Sequence, residues 1–163
     1  MRHTSPSPAD DERRPARALT SLVIEVFRLN GALLAAGDAL VHDLGLTSAR
    51  WQVLGAVALS PVALPVAHLA RNMGLTRQAV QRVVDDLRAE GLVQLEPNPH
   101  HRRAMLVTMT ETGEVAYRQA SELQQRWADD LVVDLPAEAV EAAAGLLRTL
   151  QQRLDRPNEI QRR

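Results

Sequence analysis

A mainly α-helical fold with one small antiparallel β wing is what this sequence predicts. Two observations carry that expectation. Apolar residues recur at three- and four-residue steps over most of the chain, and two short stretches near its middle, separated by a turn-rich tip, break that rhythm. At 163 residues, 45% of them hydrophobic, the chain can bury one proper core but not two large ones. Aromatic residues make up 2%, so Leu, Val and Ala must fill that core.

Residues 1–17 hold three Pro and many charges, and are expected to form a disordered tail. Residues 18–46 read as one helix, with Leu19, Leu22, Val23, Val26, Leu33, Leu34, Leu40 and Val41 at helical steps. Gly31 and Gly37 either weaken it or let another element come close. Its one-sided apolar stripe needs a partner surface, so it is expected to serve dimerisation.

Residues 47–110 form the most informative region. Thr47 or Ser48 can cap a helix that places Trp51, Leu54, Val57 and Ala58 on one face and ends at Ser60-Pro61. A short helix after Pro65 turns Val66, Leu69, Ala70 and Met73 inward. Gly74-Leu75-Thr76 makes a tight turn, with Thr76 as the next N-cap. The following helix buries Val80, Val83, Val84 and Leu87, leaves Arg77, Gln78, Gln81, Arg82 and Asp85 outside, and stops at Gly91. Leu92 to Glu96 and Ala104 to Met109 are expected as a two-stranded hairpin, with Met105, Val107 and Met109 on one face. Pro97-Asn98-Pro99-His100-His101-Arg102-Arg103 forms its tip.

Two helices fill residues 111–155. Thr110 caps the first, which carries Ala116, Ala120, Leu123, Trp127 and Leu131. Leu135-Pro136 breaks the chain before the second, which carries Val140, Ala144, Leu147, Leu150 and Leu154. Both are expected to join the dimerisation frame. Residues 156–163 read as a second tail.

Composition excludes several classes of function. Without cysteine there are no disulfides, thiolate metal sites or thiol redox switches. Charges interrupt the apolar runs before about 20 residues, which argues against a membrane span. No apolar run follows the charged start, so no secretory signal is expected and the cytoplasm is the default location. The chain shows no Gly-rich phosphate loop, no G-x-S-x-G elbow and no carboxylate pair with an evident role, so an enzyme is not expected. No cofactor is expected either. His42-Asp43 with His68 can be imagined as metal ligands, but no paired spacing such as H-x-x-x-H supports it.

The net charge is −1, and all 19 basic residues are Arg. Their placement is uneven. Residues 47–113 carry seven Arg against five acids, and from Arg71 to Arg82 there are three Arg and no acid. A small positive face on a near-neutral body suits local contact with phosphate, although ordinary scatter gives similar local excesses.

Helix, Gly turn, capped helix and Arg-tipped hairpin, in that order from Ala67 to Arg103, describe a winged helix-turn-helix. Arg can pair with guanine and Gln with adenine in the major groove. The tip arginines suit the backbone or minor groove. Each feature alone also fits an ordinary helical domain with a polar face; the ordered set points to duplex DNA.

The sequence here resembles the multiple antibiotic resistance regulators, the MarR family, from about Leu19 to Leu154. Four stretches carry the likeness: Leu46-Thr47 with Arg50-Trp51-Gln52-Val53-Leu54; Leu69-Ala70 with Met73-Gly74-Leu75-Thr76-Arg77-Gln78-Ala79-Val80; Leu87 to Val93; and Arg102-Arg103 followed by Thr110-Glu111-Thr112-Gly113. The resemblance implies a homodimer whose first and last helices interlock and whose two winged domains face successive grooves. It implies recognition-helix roles for Thr76, Arg77, Gln78, Gln81 and Arg82, and wing roles for Arg102 and Arg103. Many members carry Asp just before the wing Arg pair; His101 stands there, near phosphate on this reading. It also implies a crevice for a small aromatic effector, which Phe27 or Trp51 can line, although the residues themselves read first as core packing. The expected function is therefore a sequence-specific, ligand-responsive repressor. The alternative is a winged-helix module that binds protein rather than DNA.

Overall fold

The computed structural model describes residues 8–101 and 103–155. Helix α1 spans Pro8–Val41 and ends in a single 3-10 turn, His42–Leu44. Then follow α2 (Ser48–Ala58), β1 (Leu64–Pro65), α3 (Val66–Asn72), α4 (Arg77–Ala89), β2 (Val93–Glu96), β3 (Leu106–Met109), α5 (Glu111–Leu131) and α6 (Ala137–Asp155). The chain divides into two compact units, with the boundary between Leu123 and Gln124 inside α5.

Two boundaries differ from expectation. Helix α1 starts at Pro8, inside the stretch read as a tail, and runs through Pro15. An internal proline removes one backbone hydrogen bond. Arg13, Arg14, Ala16, Arg17 and Ala18 around it all favour helix, and a long helix follows, so elongation costs little there. Residues 1–7 and 156–163 of the expected tails lie outside the described residues. The sheet also has three strands rather than two, in the order β1-β3-β2 and antiparallel throughout. Leu64 pairs with Val107 and Pro65 with Leu106. Two residues are too few to show alternation, and Pro65 sits at an edge, where its missing N–H costs nothing.

The first unit holds one apolar core. Val41, Leu46, Val53, Leu54, Leu69, Val80, Val84, Leu87, Val93, Val107 and Ala120 are all buried in it. The helical and strand rhythms read from the sequence are thus the ones that meet. Met105 is an exception: expected on one strand face with Val107 and Met109, it is exposed and lies outside the strand, because β3 begins only at Leu106.

The junction of α1 with α2 depends on Gly37. A Cβ there would lie 2.7 Å from the hydroxyl oxygen of Ser48. The close approach lets Asp38 Oδ1 accept a hydrogen bond from the Ser48 backbone N–H at 2.6 Å, at the positive end of α2. Gln52 Nε2 donates to Ser48 Oγ at 3.1 Å, which satisfies the hydroxyl of this buried residue. Close packing, not a weakened helix, is the role of Gly37.

The rest of α1 is different in kind. Leu19, Val23, Ile24, Val26, Phe27, Leu29, Leu33 and Leu34 are exposed. All but Ile24 fall on one broad side by helical geometry, while the Glu25–Arg28 ion pair (2.8 Å) lies on the other. By length and composition alone, the helical stretch Arg13–Leu44 contains an 18-residue window apolar enough to cross a membrane, with mean hydropathy 1.5, although seven charged residues lie in the stretch as a whole. In the second unit, α6 buries no residue, and Val140, Leu146, Leu147 and Leu154 are exposed.

The hairpin is anchored at its base. Thr110 N–H donates to the Leu92 carbonyl at 3.1 Å, and its hydroxyl donates to the Gly91 carbonyl at 2.6 Å. The same hydroxyl accepts from Gly113 N–H at 3.1 Å. A Cβ on Gly113 would overlap the Leu92 carbonyl oxygen, a backbone atom that cannot swing away. Gly113→Ala is therefore expected to destabilise the protein by about 1–3 kcal/mol, the usual range for overpacking, seen as a lower urea midpoint with an unchanged m-value. An unchanged midpoint would mean that the backbone relaxes at this seat.

Candidate nucleic-acid interface

Helix α3 ends in a left-handed glycine. Gly74 has φ +66°, Leu75 N–H reaches back to the Ala70 carbonyl (2.9 Å), and Gly74 N–H to the Arg71 carbonyl (3.1 Å). The pairing satisfies carbonyls that the helix end would orphan and reverses the chain within three residues. Thr76 then caps α4: its backbone is extended and Oγ1 accepts from Ala79 N–H at 3.2 Å. At the far end Gly91, φ +73°, repeats the left-handed stop, with Leu92 N–H on the Leu87 carbonyl at 2.9 Å.

Helix α4 is two-sided. Val80, Val84 and Leu87 are 0% exposed. Arg77, Gln78, Gln81, Arg82, Asp85 and Asp86 line one open concavity on the other side. Four of the five residues expected from the sequence to read a surface therefore share one face, and the fifth, Thr76, caps it. Arg77, Arg82 and the wing residue Arg103 make no ion pair and no side-chain hydrogen bond among the described residues, and all three are exposed. Arg50, by contrast, is held by Glu90 at 2.7 Å. Within the concavity, Arg77 and Arg82 precede Asp85 and Asp86 along α4.

At the wing tip, His100 N–H donates to Asn98 Oδ1 (2.9 Å), His101 N–H to the Asn98 carbonyl (3.2 Å) and Ala104 N–H to the His101 carbonyl (3.0 Å). Backbone turns started by Asn98 thus shape the tip on either side of His101, which is exposed like Arg103. Arg102 lies outside the described residues.

The sequence reading missed three functional neighbours. Asn98 was seen only as part of a turn-rich string. Asp85 was seen on the polar face, but not its bond to Gln81: Gln81 Nε2 donates to Asp85 Oδ1 at 2.9 Å. The i, i+4 spacing could have suggested it. Arg50–Glu90, forty residues apart, left no local signal. The two aromatics take different surroundings. Phe27 is 72% exposed on α1, while Trp51 is half-buried against the core. His42 Nδ1 lies 3.2 Å from Asp43 Oδ1, both side chains exposed, and His68 is exposed on α3. Among the described residues no group of three or more His, Cys, Asp or Glu could hold a metal ion.

A glycine-turned helix pair, a capped outer helix and a hairpin behind it define a winged helix-turn-helix protein. Residues 44–104 match the family model described as MarR family. The winged helix-turn-helix of this chain is thus similar to that of the MarR family. An uncharacterised protein of Mycobacterium tuberculosis is 45% identical over 95 residues, 58% of this chain and 65% of that protein, so the alignment spans just under two thirds of the relative. The transcriptional activatory protein BadR of Rhodopseudomonas palustris is 33% identical over 94 residues, 56% of this chain and 54% of its own. The fold is similar to that of a MarR/EmrR family regulator from Acinetobacter (TM-score 0.75, 18% identity, 83% of this chain and 96% of the other). It is also similar to that of the Mycobacterium tuberculosis regulator MOSR solved with DNA (TM-score 0.67, 20% identity, 80% and 96%).

Thr76→Ala should cost about 0.5–2 kcal/mol of stability, because one of the first N–H groups of α4 loses its partner. Thr76→Ser should restore most of it. Chemical denaturation of the three proteins measures this; equal midpoints would show that water caps α4 as well as the threonine does.

Proposed function

We propose that this chain is a sequence-specific regulator of transcription that binds duplex DNA as a homodimer. One observation carries the proposal: α4 buries Val80, Val84 and Leu87 completely, with Val83 half-buried beside them, and offers Arg77 and Arg82, unpaired, beside Gln78 and Gln81 on the other side. Free guanidinium and carboxamide groups on a rigid helix are the chemistry that reads base edges in the major groove. Exposed Arg103 and His101 on the wing suit phosphate or the minor groove, and Arg102 joins them on the strength of the sequence. The match of residues 44–104 to the MarR family model and the likeness of fold to a regulator solved with DNA support the same reading.

The dimer is supported by the exposed apolar side of α1 and, separately, by that of α6, each larger than a lone small protein leaves in water. A two-fold pairing covers both. Repression is the simplest output, since a dimer seated on a promoter blocks it without an added activating surface. Its release by a small aromatic effector rests on the family resemblance and follows if the ligand favours the dimer geometry that does not fit DNA. An operator affinity indifferent to a panel of phenolic ligands would remove that part of the proposal, and a reporter that rises with the regulator would replace repression by activation.

Light scattering at micromolar concentration should give twice the 18.0 kDa of one chain. Phe27→Asp, at an exposed position, should shift the mass toward that of one chain without unfolding it. A wild-type chain that stays single contradicts the dimer.

Duplex selection from a random pool should return a near-palindrome with half-sites about 10 bp apart or a multiple of that, mirroring the two-fold. Arg77→Ala should cost about 1–3 kcal/mol and relax preference at one position. Arg103→Ala should weaken all sequences alike and reduce the log–log salt slope by about 0.9 per lost phosphate contact. Equal losses on every sequence for both variants would undo this division of labour. No duplex binding at low salt would favour the protein-interaction module.

A further inference from the structure

We propose that Asp85 fixes which way the Gln81 carboxamide faces, so that α4 selects a base bearing an exocyclic amino group, adenine or cytosine, at one position of the half-site. This rests on the reading of α4 as the helix that enters the groove.

Residues 78, 81, 82 and 85 follow steps of three and four, so they share one face of α4. Gln81, Arg82 and Asp85 line the same open concavity. A carboxamide has one accepting end and one donating end, and a free glutamine can present either. Gln81 is not free in this sense, because its Nε2 donates to Asp85 Oδ1 at 2.9 Å. Turned over, it would set Oε1 against a carboxylate oxygen, acceptor on acceptor. The carboxylate therefore holds the amino end inward along the helix and leaves Oε1, with the second N–H, to face a ligand.

Asp85 itself is exposed and keeps lone pairs in hand. Arg82, three residues away, forms no ion pair with it or with Asp86. The pair thus presents acceptors side by side. In the major groove, adenine and cytosine offer amino donors, whereas guanine and thymine offer O6 and O4, which are acceptors. A keto base opposite this pair would find only the second N–H of Gln81 as a donor and would otherwise meet lone pairs with lone pairs. Asp85 is a positioning residue on this reading. The same carboxylate disfavours a phosphate nearby, which suits a base edge better than the strand backbone.

The plain alternative is an i, i+4 pair that only steadies α4. Selection from a random duplex pool separates the two, using the full-length protein, Asp85→Asn, Asp85→Ala and Gln81→Ala. The wild type is expected to prefer adenine or cytosine at one position of each half-site by roughly tenfold or more. Asp85→Asn, which offers an amide N–H to Oε1 and lets the carboxamide turn, should admit guanine or thymine there and leave the other positions unchanged. Asp85→Ala should flatten the same position, and Gln81→Ala should flatten it too. If the Asp85 variants return the wild-type consensus, weaken every position alike, or alter a position other than the one Gln81→Ala alters, the inference is overturned while DNA reading stands. If the wild type retains no duplex at low salt, DNA reading falls and this inference falls with it.

Discussion

The presentation of α4 depends on the burial of its own inner side. Val80, Val84 and Leu87 have no exposed surface, and each such side chain gains about 1.5–3 kcal/mol on leaving water. That gain fixes the roll of the helix about its axis. Rotation by one residue would expose part of the stripe and carry Arg77, Gln78, Gln81 and Arg82 away from their shared face. The polar side is therefore positioned by the burial of the opposite one, which is why two of its arginines can remain unpaired. A site that had to hold its arginines with carboxylates would have spent the groups it needs for a ligand.

The ends of α4 are held by different means. At the start, the Gly74 turn and the Thr76 hydroxyl fix the direction of the chain. At the finish, Arg50 grips Glu90 and also approaches the Gly45 carbonyl at 3.5 Å, so one guanidinium touches the end of α4, the head of α2 and the turn that closes α1. With Arg50 largely shielded and Glu90 partly open, the contact is worth more for placing these three segments than for its Coulomb energy.

Much of this was legible in the sequence, and for a physical reason. Helices reveal themselves by a repeat of apolar residues, and α3 and α4 bury most of the stripes that the repeat marks, whereas α2 buries Val53 with Leu54 and leaves Trp51, Val57 and Ala58 half-buried. Caps are equally local: Thr47, Thr76 and Thr110 all accept the backbone N–H three residues on. The reading failed where the cause is not local. Leu64–Pro65 becomes a strand only because β3 passes beside it. Pro8 to Ala18 becomes helix because a long helix follows. Arg50 and Glu90 meet only after folding. For the candidate site, the residue types on α4 were readable, but their pairing was not: that Arg77 and Arg82 stay free while Gln81 is engaged is a matter of three-dimensional neighbours.

The wing carries a consequence of another kind. Gly113, packed under the Leu92 carbonyl, and Thr110, bonded to the Gly91 and Leu92 carbonyls, clamp the hairpin at its root. The tip beyond depends on its own turns around Asn98, and among the described residues no hydrogen bond ties it to the core. Root and tip are mechanically separate, and loop tips of this sort are where chains accept insertion. The segment from Pro97 to Arg103 is consequently the natural place to lengthen, shorten or replace when the protein is re-engineered. A lineage of such proteins could also vary there freely, keeping one scaffold while changing what the wing touches.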